Sequence, residues 1–506
     1  MIRTLLKLGN PLEHSTDCLV VLVLEGKKNS GFLRKLDRTL YGAVSDAFEA
    51  KRFEGKDGQT LLLNSRGMLG TGFVLLTGLG KAAELSEEAF RRAGGIAARL
   101  VEKSKFKNFT LMLPLEKPKG TSTKIKYDPS TAALAEGIYL SLYHFDHYKN
   151  FEGGDKPSRV EEIDFLADNR LSQRRITLAV DRAKTVAEAV CTARDLIHHP
   201  GNKVTPTCLA NEARSMAKKH GVFCKLLDKK DMEKEGMGGL LGVTRGSKEP
   251  PKFIILEYRG GKRKEPPIVI VGKGVTFDTG GISLKPPAGM DEMKMDMSGA
   301  AAAIGIMHVV SALKLKVNLI SLIPTAENMP GGSAIKPGDI LKSLSGKTIE
   351  VLNTDAEGRL ILCDALTYAQ RFKPKTVIDL ATLTGSVLHA LGHHFCGAVG
   401  NDSKLILALK KSGEFTGEKV WELPMAEEFE KAIKSSIADL KNIAGPGVGA
   451  GTITGAAFLK AFIGDHPWVH LDIAGVAWST EDKPYIPKGA SGFGVRLLLY
   501  YLENMI

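Results

Sequence analysis

The chain of 506 residues is short of several things, and each shortage removes a class of function. No H-E-x-x-H occurs, so a single-zinc site on a helix with a glutamate base is unsupported. The six cysteines (Cys18, Cys191, Cys208, Cys224, Cys363 and Cys396) are scattered without C-x-x-C spacing. That pattern fits free thiols in a reducing compartment better than a disulfide framework. No uninterrupted apolar run reaches the roughly 18 residues a membrane-spanning helix needs. The opening segment Met1–Gly9 lacks the apolar core and small-residue cleavage site of a secretory leader. A cytoplasmic protein with no membrane association is therefore expected. Internal repeats and low-complexity tracts are also missing.

What is present reads as a soluble α/β protein, with 43% hydrophobic and 25% charged residues. The length exceeds one ordinary core, so two domains are expected. In residues 1–170 the apolar runs Cys18–Leu24, Phe73–Thr77 and Phe109–Leu113 predict strands, and Ser86–Glu102 predicts a helix. Phe151–Pro157 is the clearest loop and predicts a domain edge. A helix is predicted over about Asp181–Ile197, ending before Pro200, within a linker spanning 171–200. Residues 201–506 then form the larger domain.

The most informative stretch is Asn353-Thr354-Asp355-Ala356-Glu357-Gly358-Arg359-Leu360, which follows the apolar run Thr348–Leu352. If it is extended, Asp355, Glu357 and Arg359 share one face. Carboxylates that close are costly unless a cation sits between them, and a metal ion is the obvious candidate. Alone, such a stretch reads better as an exposed turn with solvated charges. A second constellation upstream changes that reading. Pro267–Val271 predicts a buried strand that runs into Gly272-Lys273-Gly274-Val275-Thr276-Phe277-Asp278-Thr279-Gly280-Gly281, with Lys285 close behind. Binding groups gather at that edge of an α/β sheet. Asp296 precedes a small-residue helix from Gly299 to about Leu313, where it could instead be a helix-start acid. Lys273 and Lys285 could be ordinary surface lysines, and Arg359 could pair with Asp355 or Glu357.

Four carboxylates, Asp278, Asp296, Asp355 and Glu357, can hold two divalent ions about 3.5–4 Å apart. Oxygen ligands suit magnesium or manganese, and zinc also accepts them. A buried lysine with a lowered pKa could add an amine ligand.

In motif and order, N-T-D-A-E-G-R-L, G-K-G-V-T-F-D-T-G-G-I-S-L-K-P, M-K-M-D-M-S-G-A-A, Val377–Gly385 and His470–Gly475 resemble the leucyl aminopeptidase family of two-metal cytosol aminopeptidases. The resemblance spans about residues 185–505. It implies a smaller N-terminal α/β domain used in assembly. It also implies a C-terminal catalytic domain with a central mixed β-sheet flanked by helices. One metal would be held by Asp278, Asp355 (side chain and main-chain carbonyl) and Glu357; the other by Lys273, Asp278, Asp296 and Glu357. Lys285 would face the developing oxyanion, and Arg359 would hold a bicarbonate that shuttles a proton. Met293, Thr382, Leu383, Gly385, Ala474 and Ala477 would surround the first side chain of the substrate. The flexible Met293 thioether beside small residues implies leucine and other apolar side chains. Short peptides with a free N-terminus would be the substrates, and manganese or zinc, or alternatively magnesium, the metals. A homohexamer built as a dimer of trimers is implied, its sites opening to an interior cavity.

The net charge of +12 raises a different function, because basic surface binds nucleic acid through phosphates. Basic clusters stand at Lys218-Lys219-His220, Lys229-Lys230 and Arg259–Lys264. Some bacterial members of the resembled family also bind DNA. Interspersed acids, an aromatic content of 7% and no helix-turn-helix pattern favour solvated surface lysines instead. A catalytically silent scaffold is a third reading, which the complete set from Lys273 to Arg359 opposes.

Overall fold

Residues 2–27, 31–113, 127–151, 157–167 and 170–505 are described by a computed structural model. Most of the loop expected at Phe151–Pro157 lies outside them. Contacts divide the chain into two units. One is Met1–Ala187 with Glu481–Pro487; the other is Glu188–Thr480 with Lys488–Ile506. The division falls inside a helix spanning Arg170–His198. That helix begins well before Asp181, because Ile176, Ala179, Val180 and Ala183 continue the buried helical spacing backwards.

In the first unit the apolar runs become strands β1 (Arg3–Leu8), β2 (Thr16–Leu24), β3 (Thr60–Asn64), β4 (Thr71–Gly80), β5 (Asn108–Met112) and β6 (Glu162–Ala167). Among the described residues they form one sheet in the order β1-β6-β5-β2-β4-β3. Every pairing is parallel except β3 with β4. Cys18–Val21 and Val74–Leu76 are buried without alternation, as expected of strands covered on both faces. The expected helix spans Glu87–Lys103; the Ser86 side chain caps it by accepting from the Ala89 N–H, with Glu87 and Glu88 in its first turn.

The second unit is built on β7 (Phe223–Leu227), β8 (Lys252–Arg259), β9 (Ile268–Gly272), β10 (Gly274–Asp278), β11 (Asn318–Asn328), β12 (Ile340–Lys342), β13 (Thr348–Glu350), β14 (Thr376–Ala381), β15 (Cys396–Gly400), β16 (Val420–Glu422), β17 (Leu440–Lys441) and β18 (Trp468–Asp472). Its main sheet runs β16-β15-β18-β14-β9-β11-β8-β7, with β10 pairing β11 beyond the end of β9; β12, β13 and β17 form a small separate sheet. The centre is parallel (β11 with β9, β9 with β14, β14 with β18), and β8 and β15 run antiparallel to their neighbours β11 and β18. The sheet is therefore mixed, as expected. Because four adjacent strands point the same way, Lys273, Asn328, Thr382 and Asp472 emerge at one edge.

The helix Ser298–Ala312 is buried at every residue from Ser298 to Ser311. The segment Met290–Ala312 contains an 18-residue window with the length and composition of a membrane span, of mean hydropathy 1.3, yet 89% of that window is buried inside the fold. Counting only uninterrupted apolar runs passes over this segment, since Asp291, Glu292, Lys294 and Asp296 break it up.

Candidate metal centre

Where β9 ends, Lys273 turns inward and is only 2% exposed. Its ammonium donates to Asp296 Oδ1 at 2.7 Å and to the Thr382 carbonyl at 2.9 Å, and lies 2.8 Å from Glu357 Oε1. Burial works against that charge, but Asp296, Glu357 and Asp278 outweigh it and hold the pKa above the ordinary lysine value. Asp278 closes β10, and its Oδ1 accepts from the Gly280 N–H and from Asn328 Nδ2, both at 2.8 Å. Lys285 places its ammonium 2.8 Å from Asp278 Oδ2 and 2.5 Å from Asp355 Oδ1. The loop between them turns through Gly280 at φ +85°, where a Cβ would also lie 2.4 Å from the Ser283 carbonyl oxygen.

The Asn353–Arg359 stretch is not the extended segment its alternation predicts. β13 stops at Glu350, and the Asn353 side chain accepts from the Asp355 N–H at 2.8 Å, forming a turn. The Glu357 carbonyl then takes the first helical hydrogen bonds, from Leu360 and Ile361, opening a helix over Gly358–Ala369. Asp355 and Glu357 still converge: their carboxylate oxygens and one of Asp278 all lie within 4.8 Å of one another. Arg359 leaves them, donating through Nη1 to the Asn442 carbonyl at 2.7 Å. Pairing with Asp355 or Glu357 is thus not what holds it. Burial pushes its pKa down to about 10, and its buried Nε has no hydrogen-bond partner. Gly358 leaves room for Lys273, since a Cβ there would stand 2.6 Å from Lys273 Cε.

Asp296 is not a simple helix-start acid. It sits in a 3₁₀ segment, Met290–Met297, and its Oδ1 accepts from the Thr382 hydroxyl at 2.7 Å. Burial raises the pKa values of Asp278, Asp296 and Asp355, and like charges add to the rise at all three. Asp296 Oδ2 and Glu357 Oε2 are buried with no hydrogen-bond partner among the described residues. Orphaned carboxylate oxygens inside a protein cost free energy until a cation meets them. Four carboxylates, clustered and partly unsatisfied, fit divalent metal ions. The lowered pKa expected for a ligating lysine is not what Lys273 shows, and its ammonium would have to shed a proton to add an amine ligand.

Several further residues complete the site, and of these Asn328 and Asn442 carry no local motif. Asn328, closing β11, also donates to the Thr354 carbonyl at 3.0 Å, and the Thr354 hydroxyl donates to the Gly280 carbonyl at 2.6 Å. Asn442 donates to the Asn353 carbonyl at 2.6 Å, fixing the turn while its own carbonyl holds Arg359. Asp472 accepts from the Leu383 and Ala474 N–H groups, both at 3.2 Å, and from the Thr384 hydroxyl at 2.6 Å. An asparagine closing a buried strand is the one sequence signal available for Asn328, whereas Asp472 lies in the His470–Gly475 stretch. Among the expected pocket residues, Thr382 touches the metal-site side chains directly. Leu383 and Gly385 follow it on the same loop, Gly385 exposed. Ala474 is joined to that loop through Asp472. Met293 is half-buried three residues before Asp296, and Ala477 is buried, its N–H bonded to the Ile473 carbonyl.

Residues 191–499 match the model of the cytosol aminopeptidase family, catalytic domain, and residues 20–151 that of the same family's N-terminal domain. A probable cytosol aminopeptidase from Geobacter sp. (strain M21) is 48% identical over 498 residues, covering 98% of each chain. A probable cytosol aminopeptidase from Syntrophotalea carbinolica is 46% identical, covering 97% of this chain and 98% of the relative. Among solved structures, a mutant of tomato leucine aminopeptidase superposes with a TM-score of 0.88 at 33% identity, covering 100% of this chain and 97% of that one. The bottromycin maturation enzyme BotP in complex with Mn gives 0.83 at 32% identity, covering 97% of this chain and 100% of that one.

Proposed function

The chain belongs to the cytosol aminopeptidase family and is a metal-dependent aminopeptidase, and from that premise we propose that it removes N-terminal residues from short peptides at a two-metal centre. Lys273, Asp278, Asp296 and Glu357 would hold one ion. Asp278, Asp355 and Glu357 would hold the other, with the Asp355 carbonyl added. Manganese and zinc suit that donor set, and magnesium shares its preference for oxygen. When bound, two such ions lower the pKa of a water toward about 7, polarise the scissile carbonyl and accept a neutral α-amine. An internal peptide bond offers no free amine, so cleavage is confined to the N-terminus.

The side chains supply the rest. Lys285, still partly exposed between Asp278 and Asp355, sets a positive charge where the oxyanion develops. Arg359, fixed by Asn442 and with Nε unpaired, has the planar donor fork to grip bicarbonate. An anion held there by Arg359 would supply a proton acceptor for the attacking water and a donor for the leaving amine. Met293, Thr382, Leu383, Gly385, Ala474 and Ala477 would form a pocket that favours leucine and accepts other apolar side chains. The working protein would be a cytoplasmic homohexamer, a dimer of trimers.

One observation carries this reading: the carboxylates of Asp278, Asp355 and Glu357 converge within 4.8 Å, and Glu357 Oε2 has no hydrogen-bond partner among the described residues. Leucine p-nitroanilide hydrolysis tests it, using protein stripped of metal and resupplied with manganese or zinc, against an N-acetylated control. Restored activity on the free-amine substrate alone is expected. Inactivity with every metal, or equal cleavage of the blocked substrate, would overturn it.

A further inference from the structure

The metal centre uses the carboxyl edge of the main sheet; the opposite edge carries a hollow of about 410 Å³ that the chemistry above leaves unused. Three loops frame it as they enter adjacent strands: 260–267 into β9, 313–317 into β11 and 371–375 into β14. They are tied together by backbone hydrogen bonds from Lys375 N to Pro267 O at 2.8 Å and from Gly260 N to Val317 O at 3.0 Å. Asn318 Nδ2 adds bonds to the Lys262 and Glu265 carbonyls at 2.8 and 2.9 Å. The frame is thus set by backbone and a buried amide.

On it stand seven exposed cations, Lys262, Arg263, Lys264, Lys314, Lys316, Lys373 and Lys375, against one carboxylate, Glu265. That excess of six is half of the chain's net +12. Arg259 and Arg371, at the ends of two of these loops, are paired with Glu257 and Glu235. Among the described residues none of the seven has such a partner. Like charges gathered without counter-charge repel one another, and an anion bound among them removes the repulsion. Lys262, Lys316 and Lys375 line the hollow itself, beside Pro266 and the partly exposed Met505.

We propose that this hollow binds a small organic phosphate of the nucleoside polyphosphate class. The phosphates would lie among Lys262, Lys316 and Lys375, and the apolar, flat part of the ligand over Pro266 and Met505. The volume falls within the range of ordinary ligand sites. Ammonium groups meet phosphate as point charges and need no fixed approach.

Calorimetric titration of the manganese-loaded protein in excess magnesium tests this with ATP, AMP, pyrophosphate and a DNA duplex, on wild type, Lys316→Ala/Lys375→Ala and Asp355→Ala. ATP is expected to bind saturably below about 1 mM. Affinity should fall about tenfold or more in the double-lysine variant, stay unchanged in Asp355→Ala, and weaken with salt. Pyrophosphate should bind more weakly than ATP if the apolar floor contributes. Leucine p-nitroanilide turnover by the double-lysine variant should match wild type. Absence of ATP binding, equal binding to the double-lysine variant, or loss of binding in Asp355→Ala would each overturn the proposal. So would lysine-dependent binding of the duplex without binding of ATP.

Discussion

Adding one methyl group at Gly358 separates stability from catalysis in this protein. The new Cβ would lie 2.6 Å from Lys273 Cε and 2.8 Å from Nζ, where ordinary contact begins at 3.4 Å. The lysine tip must therefore retreat by about 0.8 Å. Gly358 opens a helix, so propensity alone favours alanine by up to about 1 kcal/mol. Overpacking opposes this by about 1–3 kcal/mol. The clashing atoms end a flexible side chain, so the fold should survive with a small net change in Tm. Catalysis has no such slack, because the ammonium sits between Asp296 and Glu357 at 2.7 and 2.8 Å. Displacement on the scale of 1 Å in a catalytic constellation costs about 100-fold. Gly358→Ala should thus keep a near-native melting curve, bind metal about 10–100-fold more weakly, and lose about 100-fold in kcat/KM. A variant with kcat/KM and metal affinity within about twofold of wild type would refute the claim that this glycine exists to admit Lys273.

Further tests follow from the same geometry. Lys285→Gln should lower kcat by about 100–1,000-fold with little change in KM, as expected of a charge used in the transition state; a change confined to KM would contradict that role. Asn328→Ala removes the donor to Asp278 and to the Thr354 carbonyl, and should weaken metal binding about 10–100-fold in metal titrations; unchanged affinity would remove Asn328 from the site. Asp379 holds both His470 Nδ1, at 2.5 Å, and Trp468 Nε1, at 2.7 Å, inside the sheet. Burial opposes the His470 charge, but Asp379 outweighs it and raises the pKa. A raised folded pKa gives stability that is complete below the unfolded value of about 6.5 and lost as pH rises through the folded one. Asp379→Asn should therefore cost about 3–5 kcal/mol at low pH, with the gap narrowing on the alkaline side; a gap constant with pH in denaturant melts would contradict it. Chelation should abolish activity and lower Tm, with manganese restoring both; at 100 times Kd the metal contributes about 2.7 kcal/mol.

That Lys273, Asp278, Lys285, Asp296, Asp355 and Glu357 would gather was legible because charged residues in apolar, glycine-rich surroundings stand out in one dimension; Arg359, read on the same face, turns away to Asn442. The strands were equally plain, since Ile268–Val271 beneath them and Cys18–Val21 in the first unit are continuous buried runs. The local shape of Asn353–Arg359 was not. Period-two alternation implies a shared face only if the backbone is extended, and here a side chain of Asn353 and the start of a helix bend it. Asn328 and Asn442 were missed for a different reason. They act through hydrogen bonds to residues 26 and 89 positions away, and no local pattern records such a partner. The early start of the helix Arg170–His198 was hidden by the arginines and glutamine in its first turns.

The helix Ser298–Ala312, walled in by protein along almost its whole length, has a consequence for how the sequence can drift. Surface helices tolerate change on the outer four or so positions of every seven. This one offers no outer face: its alanines and glycines have no room to grow, and trimming Ile304, Ile306, Met307, Val309 or Val310 would open a cavity. Saturation mutagenesis should therefore trace an unbroken band of intolerance from Ser298 to Ser311, without the three-or-four-residue rhythm that marks helices elsewhere in the chain.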